Sequence, residues 1–73
     1  MKTKKEGLSQ REIEILELIA QGMNSPEIAE KLFLSVHTIR THRKNIIKKL
    51  QLEGGHELLM YALKHYSSKN SKS

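Results

Sequence analysis

Seventy-three residues, 37% of them hydrophobic and 29% charged, make room for one domain and no second. A chain near this size buries only about 60% of the surface it exposes when unfolded, which leaves no bulk for a deep substrate cleft, and the lack of cysteine excludes disulfides, thiolate chemistry and cysteine-based zinc sites. The formal charge of +5 resides in one segment: residues 35 to 52 hold Arg40, Arg43, Lys44, Lys48 and Lys49 with no acid, whereas residues 1 to 34 carry a net −1 and residues 53 to 73 a net +1, a distribution suited to a polyanionic partner.

No stretch alternates apolar and polar residues over the length of a strand, so an all-α fold is expected. Residues 1–7 have nothing to bury and are expected to be flexible. The first helix is announced by Ser9-Gln10-Arg11-Glu12, a Ser-x-x-Glu capping box flanked by Leu8 and Ile13 as a hydrophobic staple. Ile13, Leu16, Ile19 and Ala20 then recur on one face until Gly22 supplies a left-handed stop. A second start follows at Asn24-Ser25-Pro26, with Ser25 as the cap and Pro26 in the first turn, where its missing N–H is harmless. Ile28, Ala29 and Leu32 line the buried side of this short helix, which Leu34-Ser35 interrupts after about two turns, and Ser35 caps the next. Helix, tight turn, helix is the unit that presents its second helix outward.

The third helix, roughly Val36 to Leu50, divides into two faces. Ile39, Ile46, Ile47 and Leu50, with Val36 and His42 at the margin, point inward, while His37, Arg40, Thr41, Lys44 and Lys48 form an outward stripe without an acid. Its fifteen residues extend about 22 Å, a cylinder that fits a DNA major groove ~12 Å wide. Gly54-Gly55 breaks the chain again. A last helix from about His56 to Tyr66 is expected to bury Leu58, Leu59, Ala62, Leu63 and Tyr66, leaving Met60 and Tyr61 off that stripe. Residues 67–73 are expected to form a flexible tail. The longest apolar run, Leu58 to Leu63, falls far short of the ~18 to 20 residues that cross a bilayer, so the reading is a cytoplasmic protein with no membrane partner.

The order of these motifs carries a resemblance. Leu8-Ser9-Gln10-Arg11-Glu12, Gly22, Glu27-Ile28-Ala29 with Leu32, Ser35-x-x-Thr38-Ile39-Arg40-x-His42, Asn45-Ile46 and Lys49-Leu50 together resemble the LuxR-type helix-turn-helix shared by LuxR, FixJ, NarL and GerE proteins. The resemblance covers about residues 8–66. It implies an all-α four-helix bundle with a central helix-turn-helix, binding double-stranded DNA in a sequence-specific way to regulate transcription in bacteria. The module would be the output domain of a response-regulator-type protein of a two-component system, or a stand-alone regulator. One turn departs from the family: Gln51-Leu52 and Gly54-Gly55 stand where members usually carry Gly-Val and an Asn-Arg or similar pair, so the phosphate contact made by that Arg is not carried over.

In this family the positions matching Arg40, Thr41 and Lys44 tend to reach base edges, and chemistry supports the same choice. Arg can bond bidentately to guanine O6 and N7, and a Lys one turn on reaches a base or a phosphate; His37 shares their stripe. Arg43, Lys48 and Lys49 are expected on phosphates, which position without specifying, with solvent exposure the other reading of Lys49. Thr38 and Ser25 sit where helix starts favour anions and are candidate phosphate donors, capping or packing being their other role.

One such module buries only ~600 to 1,000 Å² on DNA, so two copies sharing a site are expected, with half-sites about 10 base pairs apart or a multiple of that. Family members often dimerise through the last helix. Met60 and Tyr61 are therefore the candidate contacts of a weak homodimer, although Met60 can also be read as widening the buried face. RNA polymerase is admitted as a further partner. A binding adaptor for RNA or an acidic protein is the alternative, disfavoured by the scarcity of aromatics for base stacking, namely Phe33, Tyr61 and Tyr66.

Enzymatic chemistry is not expected. Glu12, Glu14 and Glu17 crowd the first helix without a convergent partner, and no phosphate-cradling Gly loop or nucleophile motif occurs. His37 and His42 lie five apart and face different sides, while His56 and His65 lack a carboxylate at ligand spacing. No metal, cofactor or small-molecule substrate is expected.

Overall fold

Each of the first three helices in this chain is started by a side-chain oxygen and ended by a left-handed residue. The structure, a computed structural model, describes residues 7–67, so the expected flexible ends, apart from Gly7 and Ser67, lie outside the described residues. The helices are α1 (Gln10–Ala20), α2 (Ser25–Leu32), α3 (Val36–Leu50) and α4 (Gly55–Tyr66), with no strand among the described residues.

Ser9 caps α1 through the expected box: its Oγ accepts from the Glu12 N–H at 3.0 Å, and the Glu12 carboxylate accepts from the Ser9 N–H at 2.9 Å. Gly22, at φ 92, closes the helix as the Met23 N–H reaches the Leu18 carbonyl at 3.2 Å and its own N–H reaches Ile19 at 2.9 Å, the Schellman pairing. Helix α2 starts one residue earlier than expected. Asn24, not Ser25, is the cap, because Glu27 stands three residues after it and completes a second box, with both bonds at 2.9 Å. Ser25 and Pro26 thus occupy the first two helical positions, where no N–H has an intrahelical partner. The same closure as at Gly22 ends α2 at Phe33 (φ 60) and α3 at Gln51 (φ 58), with Leu34 reaching Ala29 and Leu52 reaching Ile47, both at 2.9 Å.

Helix α1 packs most extensively on α4, and α2 on α3, while α3 also touches α1 and α4. The core is Ile15, Leu16, Leu18, Ile19 and Ala20 of α1 with Ile28, Ala29, Ile39, Ile46, Leu58 and Ala62. Two expectations are corrected here. Ile13 is only half-buried, whereas Ile15 and Leu18 are in the core. A single stripe describes a helix with one neighbour, and α1 has three. Leu8 does pack against the core. On α4, Leu59 and Leu63 stay 37% and 41% exposed, and Tyr61, expected off the stripe, packs against the core beside Leu58 and Ala62. The helix is rolled toward its Tyr61–Tyr66 side, where the larger rings fill the space that two leucines would leave.

Candidate nucleic-acid interface

Helix α3 builds the candidate surface. The Ser35 Oγ accepts from the Thr38 N–H at 3.0 Å and donates to the Thr38 Oγ1 at 2.9 Å, so the start of the helix is fixed and the Thr38 hydroxyl keeps its proton for another acceptor. Ile39 and Ile46 are fully buried, and Val36, Ile47 and Leu50 pack on the same core. The remaining sides are thereby committed to solvent. His37, Arg40, Thr41, Lys44, Asn45 and Lys48 are all exposed, an outward face with four cations or potential cations, His37, Arg40, Lys44 and Lys48, and no carboxylate. His42 is half-buried, and its Nδ1 meets no protein hydrogen-bond partner.

Arg43 stands apart from that face. It lies half-buried in an open cleft of about 500 Å³ that it lines together with Arg40, the Asn24–Pro26 start of α2, and Gly55 and Leu59 of α4. Burial pushes the Arg43 guanidinium below its ordinary value, yet arginine stays charged in any aqueous range that leaves the fold intact. The N-terminal ends of two helices carry partial positive charge and stand here beside two guanidiniums, while Glu27 and Glu57 occupy the first turns of the same helices. Neither Gly55 nor Leu59 could be placed on one cleft with Arg43 from sequence, because the packing of α4 on α3 is a tertiary fact with no local signature. The Asn24 box with Glu27, by contrast, is a local signal, since the two residues stand three apart in the sequence.

Lys49 is drawn elsewhere. Its ammonium donates to the Glu12 carboxylate at 2.8 Å and to the Gly7 carbonyl at 3.2 Å, which turns it toward α1. On α4, Met60 is 51% exposed and continuous with Leu59 and Leu63. Tyr61 is half-buried, its ring 4.3 Å from that of His65 and 6.4 Å from that of Tyr66. Among the described residues no three His, Cys, Asp or Glu side chains converge as a metal site, and no helix is long and apolar enough to cross a membrane.

Comparison with known proteins decides what this helical arrangement is. Residues 6–62 match the family described as bacterial regulatory proteins, luxR family. The chain belongs to the luxR family. As a LuxR-type helix-turn-helix domain it is a DNA-binding module of transcription regulation and not an enzyme. Over 57 residues this LuxR-family domain is 56% identical to the oxygen regulatory protein NreC of Staphylococcus carnosus (strain TM300), and equally so to that of Staphylococcus aureus (strain JH9). The matched stretch is 78% of this chain and 26% of each relative, so the domain spans about a quarter of their length.

Proposed function

We propose that this domain reads duplex DNA with α3 in the major groove, Arg40, Thr41, Lys44 and His37 facing base edges. Arg43 and Lys48 meet flanking phosphates, and the Thr38 hydroxyl and the α2 start at Ser25 add donors beside them. The observation that carries the reading is the exposed, acid-free face of α3 set over wholly buried Ile39 and Ile46, since burial of one side fixes which side the groove receives. The cleft at Arg43 supports a phosphate seat, because a helix start and a guanidinium are complementary to the same anion. Lys49 is left out of the contact set on account of its bonds to Glu12 and Gly7.

Two copies share a site through α4, with Leu59, Met60 and Leu63 as the contact. Tyr61 is not a principal contact in this arrangement, since it packs inward. The module acts in the cytoplasm, where it serves as the output domain of a longer two-component regulator or as a regulator by itself, with RNA polymerase as its downstream partner. The oxygen response belongs to the name of the relatives, and the step assigned to this chain is DNA reading alone.

Selection of binding sites from random duplex DNA tests the reading, followed by titration of the selected duplex at several salt concentrations. A single enriched motif is expected. With Lys49 engaged and Arg40 and Lys44 on base edges, Arg43 and Lys48 neutralise two phosphates and give a slope of log K on log salt of roughly −1.8 per domain. No enriched motif, or a slope near zero, rejects it.

A further inference from the structure

The first turn of α1 and the last turn of α3 meet at one carboxylate. Glu12 is 4% exposed, a burial that disfavours a charge unless donors surround it. Two donors are present on the same oxygen: the Ser9 N–H at 2.9 Å and the Lys49 ammonium at 2.8 Å. Burial works against ionisation here, but the hydrogen bond from Lys49, that from Ser9, and the fields of Lys49 and His42 outweigh it and hold the Glu12 carboxyl below its ordinary value. His42 and Lys49 are seven residues apart, on one side of α3, so the side that faces α1 carries the charged contacts and the opposite side the DNA-facing groups.

Apolar packing and ion pairing hold a helix differently. Burial of Ile39 and Ile46 is non-directional and resists separation more than rotation. A charge-assisted hydrogen bond is directional and short-ranged, and it resists a roll about the helix axis. Lys49 lies roughly 100° round the helix from Lys48 and about 140° from Lys44. A roll of about 10° moves a side-chain tip at ~6 Å radius by ~1 Å, more than the ~0.5 Å window of a good hydrogen bond to a base edge.

We propose that the Glu12–Lys49 pair is a positioning device for base readout, setting the roll of α3 against α1 and so the aim of Arg40 and Lys44. Through its second bond, to the Gly7 carbonyl, Lys49 ties that aim to the path of the chain leading into α1. The inference rests on the major-groove reading above and adds to it two residues that touch no DNA.

The test is a double-mutant cycle read on the specificity ratio, the Kd for an unrelated duplex divided by the Kd for the selected one. It uses the whole 73-residue chain, with Glu12→Gln, Lys49→Met and their combination each checked for helicity by circular dichroism. Each single substitution is expected to lower the ratio about tenfold, within the range for misaligning one bidentate base contact, and the combination to lower it no further. Lys49→Arg should restore the ratio to within about threefold of the unsubstituted chain, because it keeps the charge and the donors.

Were Lys49 a phosphate contact instead, Glu12→Gln would free it and tighten every duplex, while Lys49→Met would weaken every duplex, and the ratio would stay constant in both. That pattern overturns the proposal, as does a combination whose loss is the product of the two single losses. If Glu12→Gln does not fold, Lys49→Met against Lys49→Arg carries the decision, equal ratios in the two overturning it. A ratio near one in the unsubstituted chain rejects the major-groove reading itself, and the positioning role falls with it; a high ratio that the cycle leaves unmoved rejects only the positioning role.

Discussion

Arg40 and Lys48 are both exposed cations on α3, and they should not behave alike. Replacing Arg40 with Ala is expected to weaken the selected duplex by about 1 to 3 kcal/mol and to relax preference at one base position, whereas Lys48→Ala should weaken all duplexes equally and reduce the salt slope by about 0.9. Competition binding over a panel of singly substituted duplexes separates the two patterns. Phe33 makes a different point at the same scale. It ends α2 in the left-handed region while 93% exposed, a conformation that disfavours a side chain by about 1 to 2 kcal/mol. Glycine fits that position, and after its own loss of chain entropy Phe33→Gly should raise stability by about 0.5 to 1 kcal/mol, or a few degrees in Tm. A lower Tm would mean that the ring stabilises the groove it lines with Leu18 and Leu32.

Between elements, the tie of α1 to α3 gives stability a pH dependence whose sign is fixed. The Glu12 carboxyl is held below its ordinary value in the fold, so its contribution is present above the ordinary glutamate range and is lost as pH falls through the folded value. Urea unfolding over a pH series should find Glu12→Gln less stable than the unsubstituted chain at neutral pH, with the gap closing in acid; a gap that stays constant with pH assigns the loss to packing. Helix limits were largely legible beforehand because they are local chemistry. Ser9 and Ser35 cap as read, and α3 runs from Val36 to Leu50 as the pattern predicts. The roll of each helix was less legible. Ile15 and Leu18 of α1, and Tyr61 against Leu59 and Leu63 of α4, are sorted by which neighbours surround the helix, and periodicity within one segment carries no record of them. The same limit hid the partner of Lys49, since Glu12 is 37 residues away in sequence.

At the scale of the whole molecule, the exposed strip of Leu59, Met60 and Leu63 is too small to hold a dimer alone, since stable interfaces bury about 800 Å² per partner. Pairing should therefore appear on DNA rather than in free solution. Titration of duplexes with one and two half-sites is expected to show tighter binding per half-site in the second, and Met60→Glu should abolish the difference while leaving single half-site affinity unchanged. Equal affinity per half-site in the unsubstituted chain rules out pairing. The start of α4 bears on how fast such a pair can form. Gly54 offers no side-chain cap, and the turn that follows is held by backbone bonding from Leu58 to Gly54 and by the Glu57 carboxylate on the Glu53 N–H. A helix end with so few restraints opens and recloses far more often than the whole molecule unfolds. In the proposed pairing Leu59, in the second turn, would make its contact only while that end is closed, so encounters that find it frayed would separate without pairing. Residence on DNA, by keeping two copies side by side across many such openings, would then convert a surface that fails in a brief collision into one that engages.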